Sequence, residues 1–155
     1  MPLRAIYEEH ADALFSLAVR LMGSEADAED VVQDVFLGLP RALRSYRGDG
    51  SFAAWLRVVT TRQALMALRT RRRRQETGLA SQALQVAGSA GVDRLDSLWL
   101  ENEMEALPDH LRVVLVLRLE GYAHAEIAGL LGIAKATSMG RLTKAKAALR
   151  EAMDR

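Results

Sequence analysis

The sequence predicts an all-α protein built as two small helical domains. Three observations carry that expectation. Apolar residues recur at helical spacing along most of the chain, no segment alternates with the period of two that a strand needs, and the periodic stretches fall into two groups separated by a run of small residues.

In order along the chain, residues 3–22 place Ile6, Leu14, Leu17, Ala18 and Leu21 on one helical face, and Gly23 ends the pattern. Ser24 is suited to cap the next helix, with Asp27 three residues on as a weak capping box and acids at the positive end of the helix dipole. That helix is expected to run through Phe36 to about Arg44, with Pro40 kinking or ending it. The stretch 46-YRGDGSF-52, two glycines around an aspartate, reads as a tight loop. Ser51 then starts a third helix, from Phe52 to about Arg74, with Trp55, Val58, Leu65 and Leu68 as its apolar stripe. Residues 76–97 lose periodicity and form the expected linker, with a reach of roughly 70 Å fully extended and about 26 Å as a flexible coil. Helices restart at Leu98–Leu107, Pro108–Leu119, near His124–Leu131, and from about Lys135 to Met153. The expected division is a first domain at 1–75, a linker at 76–97 and a second domain at 98–155.

The composition narrows the function. Half of the 155 residues are apolar, enough for a real core. There is no cysteine, which removes disulfides, thiolate zinc sites and thiol nucleophiles together. His10, His110 and His124 are scattered, and no carboxylate cluster has metal-ligand spacing, so neither a metal, a cofactor nor an enzyme active site is expected. The acidic N-terminal segment lacks the long apolar run of a secretory signal, and no segment approaches a membrane span. A soluble intracellular protein without membrane insertion is the expectation.

The formal net charge of +1 hides segregation. Residues 1–40 carry two bases and eight acids, whereas 41–74 carry ten arginines and one acid. Residues 75–110 are acidic again, with one base and seven acids, and 111–155 carry eight bases and four acids. Alternating blocks point to separate surfaces with separate partners. Within 57-RVVTTRQALMALRTRRRR-74, five arginines in six residues exceed what a helix C-terminus uses to offset its dipole, and phosphate neutralisation fits them better. Arg62, Gln63 and Met66 lie together on another face of the same helix. Tyr46 and Phe52 flank the Gly-Asp-Gly turn beside it, as core residues or as platforms for an unpaired base.

The sharpest local signal is 121-GYAHAEIAGLLGIAKATSMGRLTKAKAALR-150. A short helix with Ile127, Ala128, Leu130 and Leu131 inward leads to Gly132, suited to a left-handed turn, and Ile133 plugs the space between helices. The second helix carries Arg141, Lys144 and Lys146, with no acid between Glu126 and Glu151. A helical hairpin in a bundle has the same outline; the basic bias favours a helix-turn-helix that enters a major groove.

Taken together, the acidic helix, the YRGDGSF loop, the Trp-containing basic helix, the linker and the pattern LP…EGYAHAEIAGLLGI…T…R…A…LR resemble the extracytoplasmic-function (group-four) sigma factors of bacterial RNA polymerase, over essentially the whole chain. The resemblance implies a promoter-specificity factor in the cytoplasm, associated with the nucleoid, that binds core RNA polymerase and has no chemistry of its own. It implies that the helix containing 28-AEDVVQDVF-36 docks on the β′ clamp helices through Asp30, Gln33, Asp34 and Leu37, which explains a carboxylate-rich face on a nucleic-acid-binding protein. Tyr46, Arg47, Asp49, Phe52, Arg62, Gln63, Met66, Arg69 and Arg73 are implied at the minus-ten element. Lys135, Thr137, Ser138, Arg141, Lys144 and Lys146 are implied at the minus-thirty-five element. The β flap and an anti-sigma protein are the further partners it implies. The linker's reach exceeds one turn of DNA, about 34 Å, so one chain can span both elements.

Two departures from the family pattern fall at DNA-facing places. The family usually has asparagine where this chain has Arg62 and often aspartate where it has Met66, and its recognition helix commonly reads Thr-Val-Lys-Ser-Arg where this chain has 137-TSMGR-141. The competing reading is a sigma-like decoy that sequesters an anti-sigma protein without opening promoters. A nucleic-acid-processing enzyme is the third, and the scattered histidines argue against it.

Overall fold

The computed structural model describes residues 2–48, 50–78 and 95–155, the last stretch with side chains from Trp99 onward. Asp49 and most of the expected linker, 79–94, lie outside the described residues. The fold is all-α, two small helical units joined through that segment, with no strand among the described residues. The first unit lies within 1–88 and the second within 89–155.

The first unit is a three-helix bundle in which every pair of helices is in contact. Helix α1 spans Leu3–Met22 and is closed by Gly23 in the left-handed conformation, whose N–H returns to the Val19 carbonyl. Helix α2 spans Glu25–Ala42, capped by Ser24 Oγ accepting from the Asp27 N–H at 3.2 Å. Pro40 sits inside its last turn, and the helix tightens into a short 3-10 turn at Leu43–Ser45. A proline lacks the N–H for another α-helical bond, so the helix stops within two residues of it rather than at Arg44. Helix α3 spans Phe52–Glu76, capped by Ser51 Oγ accepting from the Ala54 N–H at 3.1 Å.

The core joins Ile6, Leu14, Leu17 and Leu21 of α1 to Val31, Val35 and Leu39 of α2. The contribution of α3 differs from the expected stripe. Its buried face is Leu56, Thr60, Thr61, Ala64 and Leu65, while Trp55, Val58 and Leu68 are half-buried. A helix packed on two neighbours presents small residues where backbones approach. Thr60 is tolerated there because its hydroxyl donates to the Leu56 carbonyl at 2.8 Å.

The second unit contains α4 (Leu95–Ala106), α5 (Asp109–Leu119), α6 (His124–Leu131) and α7 (Lys135–Met153). Helix α5 is its centre, with every residue from Leu111 to Leu117 buried. Arg112 is among them, and its guanidinium is held by the Leu107 carbonyl at 2.9 Å and Asp109 Oδ1 at 2.6 Å. Helix α6 starts with the Ala123 N–H donating to Glu126 Oε1 at 2.8 Å; alanine has no side-chain acceptor, so this is half of a capping box. Gly132 ends it at φ 69°, a value that alanine adopts only with strain, and three residues later α7 begins. Ile127 alone of α6 is fully buried; Ala128, Leu130, Leu131 and Ile133 are half-buried.

Candidate nucleic-acid and protein interfaces

On α2, the first turn after the Ser24 cap fixes the helix phase so that Val31, Val35 and Leu39 face inward. The same phase puts Asp30, Gln33, Asp34 and Leu37 within about 100° of one another on the outside, since each residue advances the helix by about 100°. All four are exposed, and Leu37 is 80% exposed on an otherwise polar surface.

On α3, Arg62, Met66, Arg69 and Arg73 recur at i, i+4, i+7 and i+11 and fall within about 60°. They form one exposed row along the helix, with Met66 56% exposed between cations. Gln63 is half-buried at the flank of this row and donates from Nε2 to Asp34 Oδ2 at a long 3.5 Å. The residues expected to serve polymerase and those expected to serve DNA therefore meet. A groove of about 320 Å³ between α2 and α3 is lined by Asp27, Asp30 and Asp34 on one wall and Gln63, Met66, Arg71 and Arg74 on the other.

The arginine cluster is not uniform. Arg71 Nη1 donates to the Met22 carbonyl at 3.1 Å and to Asp27 Oδ2 at 2.7 Å, so this guanidinium ties the end of α1 and the start of α2 to α3. Arg72 pairs with Glu76 at 3.3 Å on the open surface, a contact of little energetic weight. Arg71 is structural in the free protein, which reduces the set available to phosphates.

The loop before α3 is ordered by rings. Tyr46, Phe52 and Trp55 are half-buried against one another, with centroids 5.3 Å apart for Tyr46–Phe52, 5.1 Å for Tyr46–Trp55 and 5.7 Å for the stacked Phe52–Trp55 pair. His10 of α1 joins edge-on to Phe52 at 5.6 Å. Such offset and edge contacts hold aromatic clusters together. Tyr46 Oη also donates to the Gly50 carbonyl at 3.4 Å, closing the loop on itself. Arg47 is exposed beside the cluster.

In the second unit the six expected DNA-facing residues of α7 do not share a face. Thr137, Arg141 and Lys144 fall within about 60° on one flank, while Lys135 and Lys146 lie on the other, about 160° away. Ser138 is a correction. It is fully buried between the flanks, with its hydroxyl 2.7 Å from His124 Nδ1 on α6, and is not available to DNA in this structure. The expectation fails there because a serine's polarity suggests exposure, whereas the packing of α6 against α7 buries this position. Arg141 is half-buried; Lys135, Thr137, Lys144 and Lys146 are exposed. The outermost line of the helix is made of small residues, Ala136, Gly140, Thr143 and Ala147.

The imidazole of His124 is held below its ordinary pKa, first by desolvation and then by the positive charges of Arg118, Lys135 and Lys146. Sequence reasoning also missed Arg112 and Arg71. For Arg112 a signal existed, an arginine inside an apolar run with an aspartate three residues before it and a helix-starting proline before that. For Arg71 none did, because its partners are 44 and 49 residues away.

No group of histidines and acids able to hold a metal ion occurs among the described residues. No helix among them is long and apolar enough to cross a membrane.

Comparison with known proteins places both units. Residues 6–74 match the family model for sigma-70 region 2, and residues 97–149 match that for sigma-70 region 4. The chain is 34% identical over 158 residues to the ECF RNA polymerase sigma factor SigL of Mycobacterium tuberculosis, covering 96% of this chain and 86% of that one. It is 31% identical to the ECF RNA polymerase sigma factor SigE of Mycolicibacterium smegmatis, covering 94% of this chain, and it spans 59% of that relative's length. Among solved structures, the sigma factor RpoE in complex with the anti-sigma factor NepR, from Bartonella quintana, superposes with a TM-score of 0.67 at 22% identity, over 97% of this chain and 96% of that one. CnrH, solved with the cytosolic domain of CnrY, gives 0.55 at 27% identity over 98% and 87%. With both sigma-70 regions matched and a relative of similar length at 34% identity, the chain belongs to the ECF sigma factors of bacterial RNA polymerase.

Proposed function

We propose that this protein binds core RNA polymerase and directs promoter-specific transcription initiation, reading the minus-ten element with its first unit and the minus-thirty-five element with its second. The domain division follows the same lines, 1–75 for the first, 98–155 for the second and 76–97 as the tether between them. One observation supports the reading most. The chain presents an acidic outer face on α2 and an exposed Arg62–Met66–Arg69–Arg73 row on α3, on either side of a shared groove.

Asp30, Gln33, Asp34 and Leu37 serve as the polymerase handle on the β′ clamp helices, three polar groups for basic partners and one bare apolar contact. The α3 row runs along the minus-ten backbone. Arginine offers only donors, so Arg62 reads guanine acceptors or holds a phosphate, unlike the asparagine its family usually carries. The Tyr46–Phe52–Trp55 cluster opens to take a flipped base, with Arg47 beside it, and Asp49 is a further residue assigned to the minus-ten element. Helix α7 enters the major groove with Thr137, Arg141 and Lys144 towards one wall and Lys135 and Lys146 towards the other. The protein acts in the cytoplasm at the nucleoid and leaves the chemistry to the polymerase. RpoE was solved with the anti-sigma factor NepR, and CnrH with the cytosolic domain of CnrY. By analogy an anti-sigma protein holds this chain inactive, and the β flap receives its second unit.

The decoy reading drew on departures at DNA-facing positions. The burial of Ser138 removes one of them from that list, since its change from the family pattern is a change of core. Run-off transcription with core polymerase and genomic promoter fragments tests the proposal. Specific transcripts are expected; none, together with tight anti-sigma binding, would leave the decoy in its place.

A further inference from the structure

One position interrupts the apolar face of α1. Ile6, Leu14, Leu17 and Leu21 recur there at helical spacing and are buried. His10 falls on the same face, one turn after Ile6 and one turn before Leu14. Its side chain is 17% exposed, and its ring stands edge-on to Phe52 with the centroids 5.6 Å apart. An apolar ring would serve packing better, because burying most of an imidazole takes water from two polar nitrogens. The neighbouring carboxylate does not offset that cost. Glu9 Oε2 lies 3.6 Å from His10 Nε2, beyond hydrogen-bond distance, and its side chain is 69% exposed.

We propose that His10 is a specificity-determining contact for the unpaired base, its imidazole reading the polar edge of a base held against Phe52. The inference rests on the minus-ten reading of the first unit and adds to its base site a fourth ring, from a different helix.

Three of the four rings stand on helices that pack against each other. Phe52 and Trp55 lie in the first turn of α3, behind the Ser51 cap, and His10 lies within α1. Helices α1 and α3 are in contact. Tyr46 stands outside the α-helices, just after the 3-10 turn, and its hydroxyl bond to the Gly50 carbonyl is long at 3.4 Å. Tyr46 is therefore the ring that yields to an entering base. A base in contact with a ring on each face needs those rings about 7 Å apart, twice a carbon–carbon contact of about 3.5 Å. The Tyr46 and Phe52 centroids are 5.3 Å apart in the free chain. Once Tyr46 gives way, the base rests on Phe52 and Trp55, and His10 stays beside Phe52 because α1 does not move with the loop.

Stacking accepts any base, since every base has a π-face. Choosing among bases needs a hydrogen-bonding group at the base edge. Phe52 has none, Trp55 Nε1 is a donor only, and Tyr46 Oη donates to Gly50. The neutral imidazole carries one donor and one acceptor, so His10 can present either to the edge it meets.

The test uses the full chain assembled with core polymerase and a pool of single-stranded DNA randomised across a minus-ten segment. Bound sequences are compared for the wild type and for His10→Phe, which keeps a ring beside Phe52 and removes both nitrogens. His10→Phe is expected to lose preference at one position by about fivefold, the effect of one neutral hydrogen bond, and to keep it at the others. Unchanged preference at every position overturns the proposal. An equal weakening for all sequences also overturns it, because that is the mark of a packing role. If His10→Phe fails to fold, the His10 imidazole resonances of the wild-type chain are followed on adding the selected oligonucleotide, and again with each preferred position made abasic in turn. A resonance that moves with the full oligonucleotide and returns when one position is abasic supports the contact. Resonances indifferent to every abasic site overturn it. A wild type that shows no preference anywhere in the segment overturns the minus-ten reading itself, and this result appears before any variant is made.

Discussion

Replacing Arg71 by alanine separates two roles that the arginine-rich end of α3 combines. The guanidinium makes two hydrogen bonds from one nitrogen, to the Met22 carbonyl at the end of α1 and to Asp27 in the first turn of α2. A buried charge-assisted hydrogen bond contributes about 1.5–3 kcal/mol. Here the side chains of Arg71 and Asp27 are 26% and 39% exposed, so solvent screens the pair and the lower part of that range applies. The loss is therefore placed at about 1–2 kcal/mol for Arg71→Ala. In a unit of this size that corresponds to a fall in melting temperature of about 5–15 °C. Amide hydrogen exchange along α1 and α3 reads the first unit by itself, where a global melt mixes both. Arg73→Ala is the comparison, because Arg73 lies in the exposed row. It is expected to leave protection unchanged within about 0.5 kcal/mol, and to lower the salt-dependence slope of DNA binding by about 0.9 if it neutralises one phosphate. If Arg71→Ala kept full protection and lost a phosphate's share of the slope, the inter-helix tie would be incidental and the argument wrong.

Three further outcomes are expected. Asp30→Arg with Asp34→Arg weakens core-polymerase binding while circular dichroism keeps its helical amplitude; equal affinity in a titration would remove α2 as the handle. Arg141→Ala either relaxes preference at one base of the minus-thirty-five element at a cost of about 1–3 kcal/mol, or weakens all sequences alike and lowers the salt slope by about 0.9, and a binding-site selection with salt titration distinguishes these from no effect. Gly140→Ala stabilises the second unit by about 1 kcal/mol in urea unfolding, because the added methyl meets no atom within 4 Å and removes the entropic penalty of a mid-helix glycine; unchanged or lower stability would mean that α7 is less regular than described.

Much of the helix pattern was legible because its signals are local. Ser24, Ser51, Gly23 and Gly132 sit at the termini that their chemistry suits, and periodicity placed His124–Leu131 and Lys135–Met153 at their observed bounds. What was not legible depends on which neighbour a helix meets. The face that α3 buries is set by two other helices, so a count of large apolar residues favoured Val58 and Leu68 over Thr60 and Ala64. Ser138 was misassigned for the same reason, since its environment is decided by His124 fourteen residues earlier. The candidate interfaces were foreseeable as residue sets but not as surfaces. Asp34 and Gln63 are 29 positions apart, and only the bundle places them on facing walls of one groove.

The ring cluster before α3 has a practical consequence. Trp55 stacks on Phe52 and touches Tyr46, while Trp99, the other indole of the chain, is 38% exposed in the second unit. An indole's emission responds to the rings and water around it. On the proposed reading, a base inserted between Tyr46 and Phe52 disturbs the environment of Trp55, which would make this indole an optical reporter of base capture. With Trp99→Phe to silence the second signal, stopped-flow fluorescence of the chain by itself would time capture of an unlabelled single-stranded minus-ten oligonucleotide.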